Sequence, residues 1–193
     1  MRTETRYYHT LEDGREVELP FDPEGADITE VRRGNEILLG CLVQDSDAGD
    51  PLEEFDEGAL MQFDYHQMHD GPRPEVEEFQ EVIRENRGRV FYVARTGYGY
   101  GVSHLALVKN AEDIEEAGGY YIAPADLKRG KQARNYAEGA LKEYSAWCEG
   151  DVWGVCVWHY DAKTLELLDR DECWGYYGNK YAGQELESLL KEG

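Results

Sequence analysis

Residues 132–178 read QARNYAEGALKEYSAWCEGDVWGVCVWHYDAKTLELLDRDECWGYYG. Its first part places Ala133, Tyr136, Ala137, Ala140, Leu141, Tyr144, Trp147 and Cys148 at i, i+3 and i+4, the single apolar stripe of an amphipathic helix. Gly150 follows as a left-handed stop. Residues 152–160 then read as a strand, 161–164 as a turn and 165–168 as its return. Trp174-Gly175-Tyr176-Tyr177-Gly178 reads as an aromatic loop. All four tryptophans lie here, so this segment is expected to be a helix packed on a hairpin, with its aromatics as core.

The rest of the chain repeats the hairpin theme. Residues 3–11 and 16–21 alternate around Asp13-Gly14, a strong hairpin signal. Residues 28–33 and 36–43 form a second pair across Gly34-Asn35. The run Ile37-Leu38-Leu39-Gly40-Cys41-Leu42-Val43 suits a central strand buried on both faces. Residues 44–58 read as an acidic loop broken by Pro51 and pinned by Leu52 and Phe55. A short strand is expected at 60–66. A helix at 75–86 carries Val76, Phe79, Val82 and Ile83 on one face, with Glu75, Glu77 and Glu78 at its positive end. Strands are expected at 89–95, 103–109 and 120–123, and a C-terminal helix at 179–190 with Leu186, Leu189 and Leu190 inward. Strand pairs interleaved with helices, without βαβ alternation, give an α+β fold: antiparallel sheets from successive hairpins with about three helices packed on them. The length fits a single domain over residues 1–193, with a possible seam near 44–73.

Charge sets this chain apart. Forty-one acids against 20 bases leave −21, and residues 44–88 alone hold 14 acids and three bases. Such a surface repels nucleic acid and anionic membrane and steers toward basic partners. No apolar run approaches membrane-spanning length. Cys41, Cys148, Cys156 and Cys173 show no C-x-x-C pattern, and no signal peptide is visible, so a reducing cytosol is expected.

Motifs for chemistry are sparse. His66-Gln67-Met68-His69-Asp70 offers two imidazoles and a carboxylate, but runs into Gly71-Pro72 rather than along a helix. The Gly97-Tyr98-Gly99-Tyr100-Gly101 tip lacks the helix N-terminus and lysine of a phosphate loop. Cys156 and His159 stand three apart on one strand, hence on opposite faces. Cys173 has Asp171 and Glu172 beside it, which disfavour a thiolate. Lys128, Arg129, Lys131 and Arg134 read as a solvated loop entering a helix. No catalytic residue, metal site or cofactor is expected.

Residues 143–147, 150–155 and Asp171-Glu172-Cys173-Trp174-Gly175-Tyr176-Tyr177-Gly178 resemble the tail of small uncharacterised bacteriophage-encoded proteins. The resemblance covers about a quarter of the chain. It implies a phage or mobile-element origin and the bacterial cytoplasm, and it carries no activity. By analogy with acidic DNA-mimic inhibitors, the expected function is non-enzymatic. The chain would occupy the basic nucleic-acid-binding surface of a host defence complex, such as a CRISPR effector or restriction system. At one charge per ~1.7 Å of duplex, 21 charges imitate roughly 36 Å, on the order of ten base pairs. The expected partner-binding acids are Asp45, Asp47, Asp50, Glu53, Glu54, Asp56, Glu57, Glu75, Glu77, Glu78, Glu81 and Glu85. The partner is a basic protein, with no direct nucleic-acid or membrane contact. Two alternatives stand. One is a small enzyme or ligand-binding domain using residues 66–70 and the Tyr98/Tyr100 tip. The other is an accessory protein with a salt-adapted acidic surface, since only seven of the 20 bases are lysine.

Overall fold

A computed structural model of the chain describes residues 5–54, 58–62, 76–96, 104–108 and 119–192. Strands run β1 Tyr7–Thr10, β2 Glu16–Leu19, β3 Thr29–Arg33, β4 Glu36–Gln44, β5 Ala59–Gln62, β6 Val90–Thr96, β7 His104–Val108, β8 Gly119–Ile122, β9 Val152–Asp161 and β10 Leu167–Tyr177. Helices are α1 Pro51–Glu54, α2 Val76–Glu85, α3 Lys131–Cys148 and α4 Asn179–Glu192. Every strand pairing among the described residues is antiparallel, and the fold is α+β. The chain divides into two compact units: Met1–Ala48 with Gly150–Gly193, and Gly49–Glu149 between them. The first crossing falls inside the acidic stretch.

In the first unit the sheet order is β10-β9-β4-β3, with β1 and β2 as a separate ribbon. The unbroken apolar run of β4 is explained by cover on both faces. Odd positions Ile37, Leu39, Cys41 and Val43, with Cys156, Trp158 and Tyr160 of β9, meet Leu11, Val17 and Leu19 of the ribbon. On the other face Leu38, Val157 and Val31 meet Leu186, Leu189 and Leu190 of α4. Gly40 is what admits α4 so closely: a Cβ there would lie 2.9 Å from Cδ1 of both Leu186 and Leu190. The ribbon is tied down at its turn, where Asp13 accepts from Arg15 Nη2 and Arg32 Nη2, both at 2.7 Å, and Arg15 Nη1 donates to Ala162 O at 2.7 Å. Further along, Tyr160 Oη donates to Glu18 O at 2.8 Å.

The second unit has sheet order β5-β8-β6-β7. The α3 stripe packs as its spacing predicts, with Ala133, Ala137, Leu141 and Tyr144 against Val93, Tyr121 and Ala123. Gly130 starts α3 at φ 81° without a side-chain cap, its N–H donating to Gly88 O at 3.1 Å. Leu52 packs on the same core.

Three expectations change. The helix and hairpin of residues 132–178 belong to different units, each with its own core. Their aromatics diverge accordingly: Trp158 is fully buried, Trp147 and Trp153 are half-buried, and Trp174 is exposed. The aromatic loop is instead the end of β10, because pairing with β9 carries the strand through it. The acidic loop contains α1, whose start is capped by Asp50 Oδ1 accepting from Leu52 N at 2.8 Å. The His66–Asp70 segment, the Tyr98/Tyr100 tip and residues 109–118 lie outside the described residues.

Candidate interaction surface

The sequence of β10, Leu167-Leu168-Asp169-Arg170-Asp171-Glu172-Cys173-Trp174-Gly175-Tyr176-Tyr177, has little strand propensity at its centre. Its conformation is imposed by β9, whose valines, Trp158 and Tyr160 form a buried template. Between Asp169 and Cys173 the register is regular, with Arg170 opposite Trp158 and Asp171 opposite Val157. A bulge lies at each end. At the second, Trp174 and Gly175 oppose Gly154 alone, and Gly175 adopts φ 82°. Asp45 fixes this bulge, its Oδ2 accepting from Gly175 N at 3.2 Å. Trp174 lies over Gly154, its ring centroid 6.1 Å from that of Phe21.

β10 forms one edge of its sheet, and among the described residues only β9 pairs with it. Its side chains are mostly exposed. Among the described residues the exposed large hydrophobics are Tyr8, Leu167, Leu168, Trp174 and Tyr181. All but Tyr8 therefore lie on β10 or on α4 beside it, Tyr181 stacking at 5.7 Å on Tyr176. Aromatic and aliphatic groups gathered on an open edge are the composition of interface cores.

The charges of this edge are of two kinds. Arg170 clasps Glu172 through Nε and Nη2 at 2.8–2.9 Å, and Glu172 Oε1 also accepts from the buried Trp158 Nε1 at 2.9 Å. That pair is satisfied internally. Asp171 Oδ2 lies 3.2 Å from His159 Nε2, and Glu36 Oε2 lies 3.6 Å from His159 Nδ1. Asp169 has no cationic partner among the described residues. One face of the edge thus presents Asp169 and Asp171, two residues apart. Cys156 points to the opposite face from His159, as the spacing requires.

A half-open cleft of about 510 Å³ lies at the same end of the unit as the second bulge. Pro23, Glu24, Asp27, Leu42, Trp153 and Leu186 line it. The loop that rims it turns through Glu24 at φ 52° and Gly25 at φ 82°, with Ala26 N donating to Pro23 O at 3.0 Å, a type I′ geometry. Trp153 is held in the wall by its Nε1–H, which donates to Asp151 Oδ1 at 2.6 Å.

The acids expected to bind a partner separate on inspection. Asp45 and Asp47 belong to the first unit, and the others to the second. Asp45 and Asp50 are half-buried and spend an oxygen each on a backbone N–H, so they shape the chain. Asp47, Glu53, Glu81 and Glu85 are exposed, with Glu81 3.6 Å from Arg84. Glu54 lies in α1, and Glu77 and Glu78 in α2. Asp56, Glu57 and Glu75 lie outside the described residues. Lys128, Arg129, Lys131 and Arg134 are exposed, and Arg134 pairs with Glu138 at 3.0 Å. Among the described residues no cluster of His, Cys, Asp and Glu could hold a metal ion, and no helix is long and apolar enough to cross a membrane. Compared with family models, curated proteins and solved structures, the chain matches none.

Proposed function

We propose that this protein is a non-catalytic binding protein that occupies the basic, nucleic-acid-binding surface of a partner. The resemblance of its C-terminal quarter to phage-encoded proteins makes a host defence complex in the bacterial cytoplasm the class of partner, such as a CRISPR effector or restriction system. The observation that carries the reading is how the charge is shared. The first unit holds 21 acids and nine bases, the second 20 acids and 11 bases. Neither unit neutralises the other, so a basic partner meets an attractive field from both.

The test is competition. A DNA-cleaving CRISPR effector is incubated with labelled target DNA and rising amounts of this protein, at about 50 mM and about 200 mM salt. Release of the DNA, with the half-effective dose rising with DNA concentration and climbing steeply with salt, is the expected result. Tight binding indifferent to salt, or inhibition that excess DNA does not relieve, sinks the reading. Charge reversal at the exposed Asp47, Glu53, Glu81 and Glu85 should abolish release.

A second reading is favoured by the same even sharing of acids, together with only seven lysines: a salt-adapted surface. It requires a fold that gains stability up to molar potassium chloride, whereas the binding reading is indifferent to molar salt for folding.

A further inference from the structure

We infer that β10 is a docking edge, to which a lysine- or arginine-bearing extended segment of the partner adds as a further antiparallel strand. This rests on the basic partner proposed above and specifies how it is held.

Three observations converge on it. The strand is 11 residues long and forms a sheet edge that only β9 pairs among the described residues. About half the backbone groups of an edge strand point outward unpaired, a ready template for another chain. Second, exposed Leu167 and Leu168 at one end of the regular stretch and Trp174 at the other offer apolar contact to the two ends of an added segment. Third, the charge selects the occupant. Asp169 and Asp171 share one face at strand spacing, and neither pairs with a Lys or Arg side chain among the described residues: Asp169 Oδ1 accepts from the Arg170 backbone N–H at 2.8 Å, and Asp171 Oδ2 lies 3.2 Å from His159 Nε2. A second copy pairing antiparallel through this segment would bring Asp169 and Asp171 against their own equivalents, and like charges directly opposite are destabilising. A segment with basic residues at alternate positions places them opposite both aspartates instead. The bulges flanking the regular stretch limit the ladder to the five residues from Asp169 to Cys173, a short and reversible addition rather than an aggregating edge.

The experiment uses the whole protein and two synthetic ten-residue peptides of equal charge. One alternates lysine with valine; in the other the two central valines are proline, which cannot donate to a ladder. Binding is read by calorimetry at low salt, and β10 by amide hydrogen exchange. The alternating peptide is expected to bind at least about tenfold more tightly, through ladder hydrogen bonds that the proline peptide cannot form, and to slow exchange of alternate β10 amides. Asp169→Lys with Asp171→Lys should abolish that preference and transfer it to an alternating glutamate–valine peptide. Equal binding of both lysine peptides, with β10 exchange unchanged, overturns strand addition and leaves the basic-partner reading standing. Binding of neither peptide overturns both. A dimer by light scattering without peptide, with β10 amides already protected, gives the edge to a second copy and overturns the proposal.

Discussion

Alanine at position 154 is the sharpest test of how the β10 surface is built. A Cβ on Gly154 would stand 2.4 Å from Cε3 and 2.6 Å from Cζ3 of Trp174. Ordinary contact begins near 3.4 Å, so the indole must retreat by about 1 Å. The obstructing atoms are ring carbons anchored by a bulge, not the free end of a flexible chain. Retreat loosens the Trp174–Phe21 contact and, behind it, the edge-on packing of Phe21 on Trp158 at 5.2 Å. Overpacking of this kind costs about 1–3 kcal/mol. In a unit of this size that lowers the melting temperature by roughly 4–8 °C per kcal/mol. The double-mutant cycle isolates the cause. In a Trp174→Ala background the ring is gone, and Gly154→Ala should be neutral or slightly stabilising, since glycine in a strand is worth roughly 0.5–1 kcal/mol less than alanine. Thermal denaturation followed by circular dichroism measures all four proteins, and acrylamide quenching reports the freed indole. Equal destabilisation by Gly154→Ala in both backgrounds would refute the stacked-indole account.

Thiol titration should resolve the cysteines by depth. Cys173 reacts fast with Ellman's reagent and Cys148 more slowly, while Cys41 and Cys156 react only in denaturant. The hydrogen bond between those two buried, directly opposed thiols, and then burial itself, push the Cys156 thiol up, so it stays protonated. Rapid labelling of three or more thiols in the native state contradicts the core. Replacing Gly40 by alanine should displace α4, at about 1–3 kcal/mol, with faster amide exchange confined to α4; a variant as stable as the parent removes the close-approach argument. Stability should also fall at both ends of the pH scale. The Arg15 and Arg32 side chains hold the Asp13 carboxyl below its ordinary 3.8, and the Thr164 and Lys163 N–H groups do the same for Asp161. Both are depressed in the fold, so their contribution is complete above 3.8 and is lost as pH falls below it. Burial pushes Tyr160 from 10 up to about 12, so folding loses support as pH rises through that window. Urea midpoints between about pH 5 and about pH 2, and again above 10, check both limbs; a flat acid limb denies the Asp13 and Asp161 pairs.

How much of this was legible in the sequence varied by element. The run from Ile37 to Val43 announced a doubly covered strand because every position needed burial. The stripe on α3 and the turns at Asp13-Gly14 and Gly34-Asn35 were equally plain. The centre of β10 was not, since Asp169-Arg170-Asp171-Glu172 has little strand propensity, and the return strand reads as ending at residue 168 until its partner is known. The division between α3 and β9 left no compositional mark, because only Glu149, Gly150 and Asp151 separate elements of different cores. Among the acids, Asp45, Asp47 and Asp50 look alike in sequence. What distinguishes them is a backbone N–H within reach, supplied to Asp45 by Gly175, distant in sequence, and to Asp50 by Leu52.

The pairing of β4 with β9 has a consequence for biosynthesis. Asp45 N donates to Val152 O at 2.8 Å, and Gln44 Nε2 to Gly150 O at 2.9 Å, so the chain leaves and re-enters the first unit side by side. The whole of Gly49–Glu149 is in effect an insertion into a hairpin. During translation β4 waits for β9 while that insertion is made, roughly 5–20 s at about 5–20 residues per second. If the inserted unit folds in that interval it draws the two ends together and shrinks the loop that β4 and β9 must otherwise close, lowering an entropic barrier that grows with loop length. The order of assembly is then middle first and flanks last, and a ribosome that stalls before residue 152 leaves β4 as a bare, aggregation-prone edge.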